Sequence, residues 1–144
     1  MIETALIDPV LFVRWRERCE ASDIAYIKRD TEAAHRRLGE RLVYVAIIPV
    51  GVPPPDAETR AALRNGTTHA AELCRSIHIV IDGEGLRRAL IRSVTAGLLL
   101  ASRRSFRIHA DVEDALQEAA KIVDFDPAAC YERARTLGLL GEGT

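Results

Sequence analysis

Four histidines and three cysteines are the side chains of this sequence best able to act as a base, a nucleophile or a metal ligand. No HExxH or GxSxG motif occurs in the chain. His69 and Cys74 are five residues apart, a spacing that turns two side chains of one helix about 140° away from each other. We therefore predict no catalytic residue, and we expect the histidines on the surface or on strands. These side chains are His35, His69, His78, His109, Cys19, Cys74 and Cys130.

The cysteines also indicate neither a disulfide framework nor a thiolate zinc site. They are odd in number, far apart in the chain and free of any CxxC pair. We predict no metal and no cofactor. An enzyme that depends on the Cys74 thiol or on a histidine is the third functional alternative, without a substrate to propose.

A glycine pair after a predicted strand is the best candidate for anion binding. Asp82, Gly83 and Gly85 stand where a strand would turn into a helix, so free backbone N–H groups could receive a phosphate. The spacing gives only GxG, without a third glycine or a P-loop Lys-Ser/Thr pair. A plain tight turn is the alternative.

Charge is segregated along the second half of the chain. Residues 85–110 carry six arginines and no acidic residue, whereas residues 111–144 are strongly acidic. Arg88 and Arg92 would share a helix face, and together with Arg87 they predict a basic patch for a carboxylate or phosphate partner. The alternative is that these arginines pair with the acidic helices or stay solvated. Nucleic-acid binding is not expected, because the whole chain is nearly neutral and no aromatic residue is interleaved with these arginines.

The composition is that of one compact globular domain. The chain has 144 residues, 48% of them hydrophobic, and a formal net charge of −1. No apolar run reaches the roughly 18 residues of a membrane span, and the N-terminal residues lack the pattern of an export signal. We therefore expect a soluble, cytoplasmic protein without membrane contacts.

Alternation of short β-branched runs with longer helical patterns predicts an α/β fold. The run from Leu42 to Ile48 is apolar throughout, which is typical of a parallel strand covered on both faces, and Ile77 to Ile81 repeats the pattern. We predict that these two strands lie side by side and parallel. Other strands are expected at Val10–Trp15, treated as an exposed edge, and at Phe106–His109, with residues 5–7 either pairing as a hairpin or forming an extension.

Helices are predicted between and after these strands. They cover Ser22 to Gly39, Pro55 to about Cys74 with a possible break at Asn65-Gly66, Leu86 to Ala101, Val112 to Ile122, and Asp126 to about Gly138. The prediction is a small open sheet of four to five mostly parallel strands flanked by helices. It forms a single domain over residues 1–144, with a core at about 5–122 and an extra helix at about 127–137.

The order of elements and the stretch Phe106-Arg-Ile-His-Ala-Asp-Val-Glu-Asp-Ala-Leu116 resemble the STAS domain of anti-sigma factor antagonists. The resemblance implies a regulatory module that works by binding a protein partner. In that family a serine that begins the helix after the central strand is phosphorylated. No serine occurs between Pro49 and Thr59 here, so the phosphorylation site is not carried over.

The leading functional hypothesis is a non-enzymatic, STAS-like interaction module. Its partner-facing residues would be Pro53, Pro54, Pro55, Asp56 and Thr59, with Arg87, Arg88 and Arg92 on the following face. A homodimer formed through the Val10–Trp15 edge is expected as a second route of association. The alternative is a domain that binds a small phosphorylated or lipid-like ligand at the carboxyl ends of the strands, near Asp82 to Gly85.

Overall fold

The computed structural model describes residues 1–49, 52–53, 55–81 and 105–140. The predicted helix at Leu86–Ala101, the glycine pair at Asp82 to Gly85, and Pro54, Arg87, Arg88 and Arg92 lie outside these residues. The strands are β1 (Ile2–Ile7), β2 (Val10–Trp15), β3 (Val43–Ile48), β4 (Ser76–Ile81) and β5 (Ser105–His109). The helices are α1 (Ala21–Leu38), α2 (Ala57–Leu73), α3 (Val112–Ala120) and α4 (Pro127–Thr136), with a 3₁₀ turn at Gly39–Arg41.

The five strands form one sheet in the order β1-β2-β3-β4-β5. Only the β1–β2 pair is antiparallel; the pairs β2–β3, β3–β4 and β4–β5 are parallel. Tyr44 of β3 lies opposite Ile77 of β4 and Leu11 of β2. The prediction of a mostly parallel α/β sheet, with the two most apolar strands side by side, is confirmed.

The prediction that Val10–Trp15 forms an exposed edge is wrong. Residues 2–7 pair with it antiparallel on one side and β3 pairs with it on the other, so all six residues of β2 are buried. The reason is that the short apolar run before Pro9 forms a full hairpin strand instead of an extension. The outer strands of the described sheet are β1 and β5.

The two faces of the sheet bury two separate hydrophobic clusters. Leu11, Val13 and Trp15 of β2 face α1 and α2, whereas Val10 and Phe12 face α3 and α4. The strands β3 and β4 divide their side chains in the same alternating way. Both faces of the central strands are therefore covered by helices, as their unbroken apolar sequence requires.

Helix α1 begins and ends with recognisable backbone signals. Its N-cap is Glu20, two residues before the predicted start at Ser22, because Asp23 occupies the third helical position and its side chain accepts from the Glu20 N–H at 2.9 Å. The helix ends at Gly39, which has φ +60° and ψ −137°, a conformation that residues with a Cβ rarely adopt.

Helix α2 runs without a break through Asn65-Gly66, contrary to the predicted interruption. Its N-cap is Asp56, whose carboxylate accepts from the Thr59 N–H at 2.8 Å, so the prolines precede the helix instead of forming its first turn. Gly66 faces α1: a Cβ placed there would lie 3.2 Å from Cγ2 of Ile24. The two helices therefore approach closely at this point.

Helices α3 and α4 begin at the predicted aspartates. Asp111 accepts from the Asp114 N–H at 2.8 Å, and Asp126 accepts from two N–H groups of the first turn of α4, which has Pro127 at its start. The chain after α4 is held to β2 by buried Arg14, which donates to the Leu139 carbonyl at 2.5 Å. No helix in the described part of the chain is long and apolar enough to cross a membrane.

Two glycine substitutions test these backbone arguments against each other. Gly39→Ala should lower the free energy of unfolding by about 1–2 kcal/mol, because its backbone conformation is strained for any L side chain even though no atom lies within 4 Å. Gly66→Ala should be neutral or stabilising by up to about 1 kcal/mol, since alanine favours the helix and Ile24 has space to shift. Urea denaturation measures both free energies of unfolding. A Gly66→Ala variant less stable than Gly39→Ala would contradict this account.

Candidate functional site

A cavity of about 60 Å³ lies between α1, α2 and the sheet. A single bound water needs only about 10–15 Å³, so the cavity exceeds one water several-fold. Its floor is formed by strands β2, β3 and β4, and its walls by the two helices. The lining residues include Trp15, Ile24, Ile27, Thr31, Tyr44, Ala46, Ile48, Leu63, Gly66, Thr67, Ala70, Ile77 and Ile79, with Lys28 and His69.

The position of the cavity follows from small residues at the helix–sheet interface. Ala46 of β3 and Ala70 of α2 are buried and present only a methyl group, and Gly66 presents no side chain at all. The larger side chains around them therefore do not meet across the interface. Lys28 is exposed although it lines the cavity, so this end of the cavity reaches the surface of α1.

The described lining is mostly apolar, and two of the three hydroxyl groups on its described residues are already used by the helices. Thr31 donates to the Ile27 carbonyl at 2.7 Å, and Thr67 donates to the Leu63 carbonyl at 2.8 Å. Both bonds connect residues four apart in the same helix, the usual arrangement for helical threonines. Their hydroxyl protons are therefore not available to a molecule in the cavity.

Tyr44 supplies the third hydroxyl group, and it makes no hydrogen bond to any described residue. Burial raises the pKa of Tyr44 well above its ordinary value, with smaller contributions from the Cys74 and Cys19 thiols. The phenol is therefore neutral and keeps its proton. A tyrosine of a protein interior usually finds a partner for its hydroxyl, so half-buried Tyr44 is unusual among the described lining residues, as is His69, whose buried Nε2 also has no hydrogen-bond partner.

Two histidines hold the cavity walls together. His35 of α1 donates from Nδ1 to the Leu73 carbonyl at the end of α2, over 2.9 Å. His69 of α2 lies with Nε2 3.1 Å from a carboxylate oxygen of Glu32 on α1. The two groups are not aligned as a hydrogen bond, so the buried Nε2 of His69 has no hydrogen-bond partner in the described part of the chain.

The other two histidines form a polar chain on the opposite face of the sheet. His78 of β4 is fully buried, with Nδ1 2.9 Å from Nε2 of His109 on β5 and Nε2 3.0 Å from the Ser76 hydroxyl. The ring centres of the two histidines are 5.1 Å apart. The parallel register explains the pairing, because Val80 lies opposite His109 and His78 is two residues earlier on the same face. The expectation that these histidines lie on strands is confirmed.

Burial dominates the electrostatics of this pair. It lowers the pKa of His78 to about 4, and the neighbouring His109 adds to the effect. The pKa of His109 is also lowered, mainly by burial, against the opposing influence of Glu118, Asp114 and Asp111. Both imidazoles are neutral at pH 7, so one ring donates to the other.

A polar groove runs along the surface beside His109, between β5 and α3. Its volume is about 350 Å³, and Arg107, Asp114, Gln117, Glu118 and Lys121 line it with His109 and Ile108. The serine of the polar chain is fully buried, so Ser76 does not meet a substrate in this groove. The chain Ser76–His78–His109 resembles a nucleophile and base in composition but lacks an accessible nucleophile.

The predicted partner-facing residues differ in burial. Pro53 and Asp56 are exposed, whereas Pro55 and Thr59 are buried. The Asp56 carboxylate caps α2, and its hydrogen bond with Thr59 lowers the pKa of Asp56. Of the predicted partner-facing residues that the structure describes, Pro53 and Asp56 are therefore the ones at the surface.

The three cysteines are buried, and none forms a disulfide. Burial raises the pKa of Cys19 and of Cys130 to about 12, so both are thiols at neutral pH. Cys74 follows the last turn of α2 and is 1% exposed. Within the described ranges, no group of three or more His, Cys, Asp or Glu residues is arranged to hold a metal ion.

Neither the cavity nor the contact between His78 and His109 is predicted from the sequence. The histidine pair required the β4–β5 register, although the two-residue spacing of Ser76 and His78 already placed them on one face of a strand. The cavity required the packing of α1 and α2 on the sheet. Ala46, Gly66 and Ala70 carry the only signal of it, and small residues alone do not distinguish a void from close packing.

No family model matches the chain, and no curated protein and no solved structure shows significant similarity to it. The STAS resemblance therefore stays a prediction. The functional argument rests on the geometry of the chain itself.

The histidine pair predicts a specific dependence of stability on pH. His78 has a pKa of about 4 in the folded chain and about 6.5 when unfolded, so its contribution is complete above pH 6.5 and is lost as the pH falls towards 4. The loss should reach about 3 kcal/mol of unfolding free energy. Urea denaturation between pH 7 and 4 should show this slope in the wild type and a smaller slope in His78→Gln. Identical slopes would contradict the assignment.

Proposed function

We propose that this protein is a non-enzymatic module that binds a small, mainly apolar molecule in the cavity between α1, α2 and the sheet. The observation that carries the proposal is the size of this cavity among the buried, mainly apolar residues of the described α1–α2 layer. Protein interiors rarely retain voids larger than a water molecule, and an empty apolar void of this size costs on the order of 1 kcal/mol. A ligand that fills it would restore the missing contacts.

The location of the cavity supports the same function. Trp15 and Ile48 stand at the carboxyl ends of the parallel strands β2 and β3, and both line the cavity. Open α/β sheets commonly bind ligands at this end of their strands. The predicted ligand residues Asp82, Gly83 and Gly85 follow β4 at this same end in sequence, and they stay a prediction.

Filling the cavity with a protein side chain should abolish binding without damaging the fold. Ala46→Ile adds a β-branched side chain to the cavity floor, so we expect unchanged or greater stability and at least tenfold weaker binding of toluene and methylenecyclohexane. The single tryptophan, Trp15, lines the cavity, and its indole N–H signal in NMR titrations reports occupancy.

The matched control is Ala115→Ile on the opposite face of the sheet. Ala115 is fully buried in the α3–α4 layer, outside the cavity, so the added carbons should cost about 1–3 kcal/mol and leave binding intact. Failure of the wild-type protein to bind either hydrocarbon would rule out the proposed function.

Docking of a regulatory protein partner, as in a STAS domain, is the second candidate function. It is favoured by the exposure of Pro53 and Asp56 directly after β3, the strand whose last residue, Ile48, also lines the cavity. A ligand at Ile48 and a partner at Pro53 would therefore be five residues apart in the chain. Arg87, Arg88 and Arg92 belong to this proposal as a basic face, and a homodimer would use an outer strand, β1 or β5, instead of β2.

Asp56→Ser tests the docking segment while retaining a helix cap. The variant loses the exposed charge, but serine still caps α2. Asp126→Ser at the start of α4 is the matched control, because Asp126 caps a helix on the other face of the sheet. Crosslinking and mass spectrometry in the source cells should show a partner that is lost only in Asp56→Ser, and sedimentation should report the oligomeric state. If both variants crosslinked the partner to the same extent, the segment from Pro53 to Thr59 would not be its docking site.

A further inference from the structure

We infer that the ligand of this cavity carries a neutral oxygen acceptor, such as a carbonyl group, that receives a hydrogen bond from the Tyr44 hydroxyl. The inference rests on the proposed function, since it describes the molecule that the cavity would hold. It adds one hydrogen bond, from the Tyr44 hydroxyl, to a site whose described lining is otherwise mostly apolar.

Accounting for the hydroxyl groups identifies Tyr44 as the donor. Thr31 and Thr67 donate to carbonyls of their own helices, whereas the Tyr44 hydroxyl has no partner in the described part of the chain. A polar group withdrawn from water without a partner costs about 1–3 kcal/mol. A bound acceptor would remove this cost, and a hydrocarbon would leave it in place.

The charges around the cavity favour a neutral acceptor over a carboxylate. The cation among the described lining residues is Lys28, which is exposed at the rim on α1. Tyr44 rises instead from the central strand β3, among the apolar residues of the α1–α2 layer. Among the described residues a carboxylate beside Tyr44 would be buried without a paired cation, which is far more costly than burying a carbonyl oxygen.

The sheet also gives the ligand an orientation. Tyr44 is near the start of β3 and Ile48 is its last residue, so four residues, or about 13 Å of strand, separate them. Ala46 lies between them on the same face, opposite Val13 of β2 and Ile79 of β4. An acceptor oxygen at Tyr44 therefore directs the apolar body of the ligand over Ala46 towards Trp15.

A pair of nearly isosteric ligands separates the hydrogen bond from the shape of the cavity. Cyclohexanone and methylenecyclohexane differ by an oxygen in place of a CH₂ group. NMR titration followed at the Trp15 indole N–H gives the ratio of the two affinities for each variant. Relative to the wild type, Tyr44→Phe should weaken the binding of cyclohexanone about five- to tenfold, because the carbonyl oxygen loses its donor, while retaining the affinity for methylenecyclohexane.

Tyr26→Phe is the matched control, because Tyr26 is an exposed residue of α1 whose ring lies under Arg29. Its ratio should equal that of the wild type. A ratio unchanged by Tyr44→Phe would overturn the inference and leave the proposed function standing, provided that both ligands bind. Absence of binding by both ligands would instead overturn the proposed function. If the Tyr44 variant does not fold, the carbonyl stretching frequency of cyclohexanone bound to the wild type decides the question: a hydrogen bond lowers it, and a frequency equal to that in a hydrocarbon solvent would overturn the inference.

Discussion

The rest of the structure depends on the strand β3, which is apolar on both faces and lies in the middle of the sheet. Val45, Ala46, Ile47 and Ile48 are all buried, so neither face of this strand can remain exposed to water. Parallel neighbours on both sides require long connections, and these connections supply helices. The α1–α2 layer and the α3–α4 layer each cover one face, and the antiparallel hairpin strand β1 covers the outer edge of β2.

The two helical layers cover the sheet in different ways. The α3–α4 layer packs against buried side chains that include a polar chain, and Arg14 donates from this face to the Leu139 carbonyl. In the α1–α2 layer the helices approach each other closely at Gly66 but leave a void above Ala46. Close helix–helix contact and incomplete helix–sheet contact have the same origin, because small residues permit the first and cause the second. The functional proposals concern this layer for that reason.

The fold was largely predictable from the sequence because its signals are local. Unbroken apolar runs marked β3 and β4, aspartates at helix starts marked α3 and α4, and Gly39 marked the end of α1. Wrong predictions arose where long-range pairing decides: β2 is internal only because residues 2–7 fold back on it. The candidate site depends on distances between elements far apart in the chain. Neither the void beside Tyr44 nor the contact of His78 with His109 has a local pattern, so periodicity and spacing could not reveal them.

The buried cysteines have a consequence for how the opening of this fold can be followed. Cys19 belongs to the cluster beneath α1 and α2, and Cys130 belongs to the cluster beneath α3 and α4. Each thiol is protonated and inaccessible while its own layer is closed. Alkylation at one of these cysteines therefore reports the detachment of one helical layer alone. The alkylation rates of Cys19 and Cys130 would measure the opening of the two sides of the sheet separately.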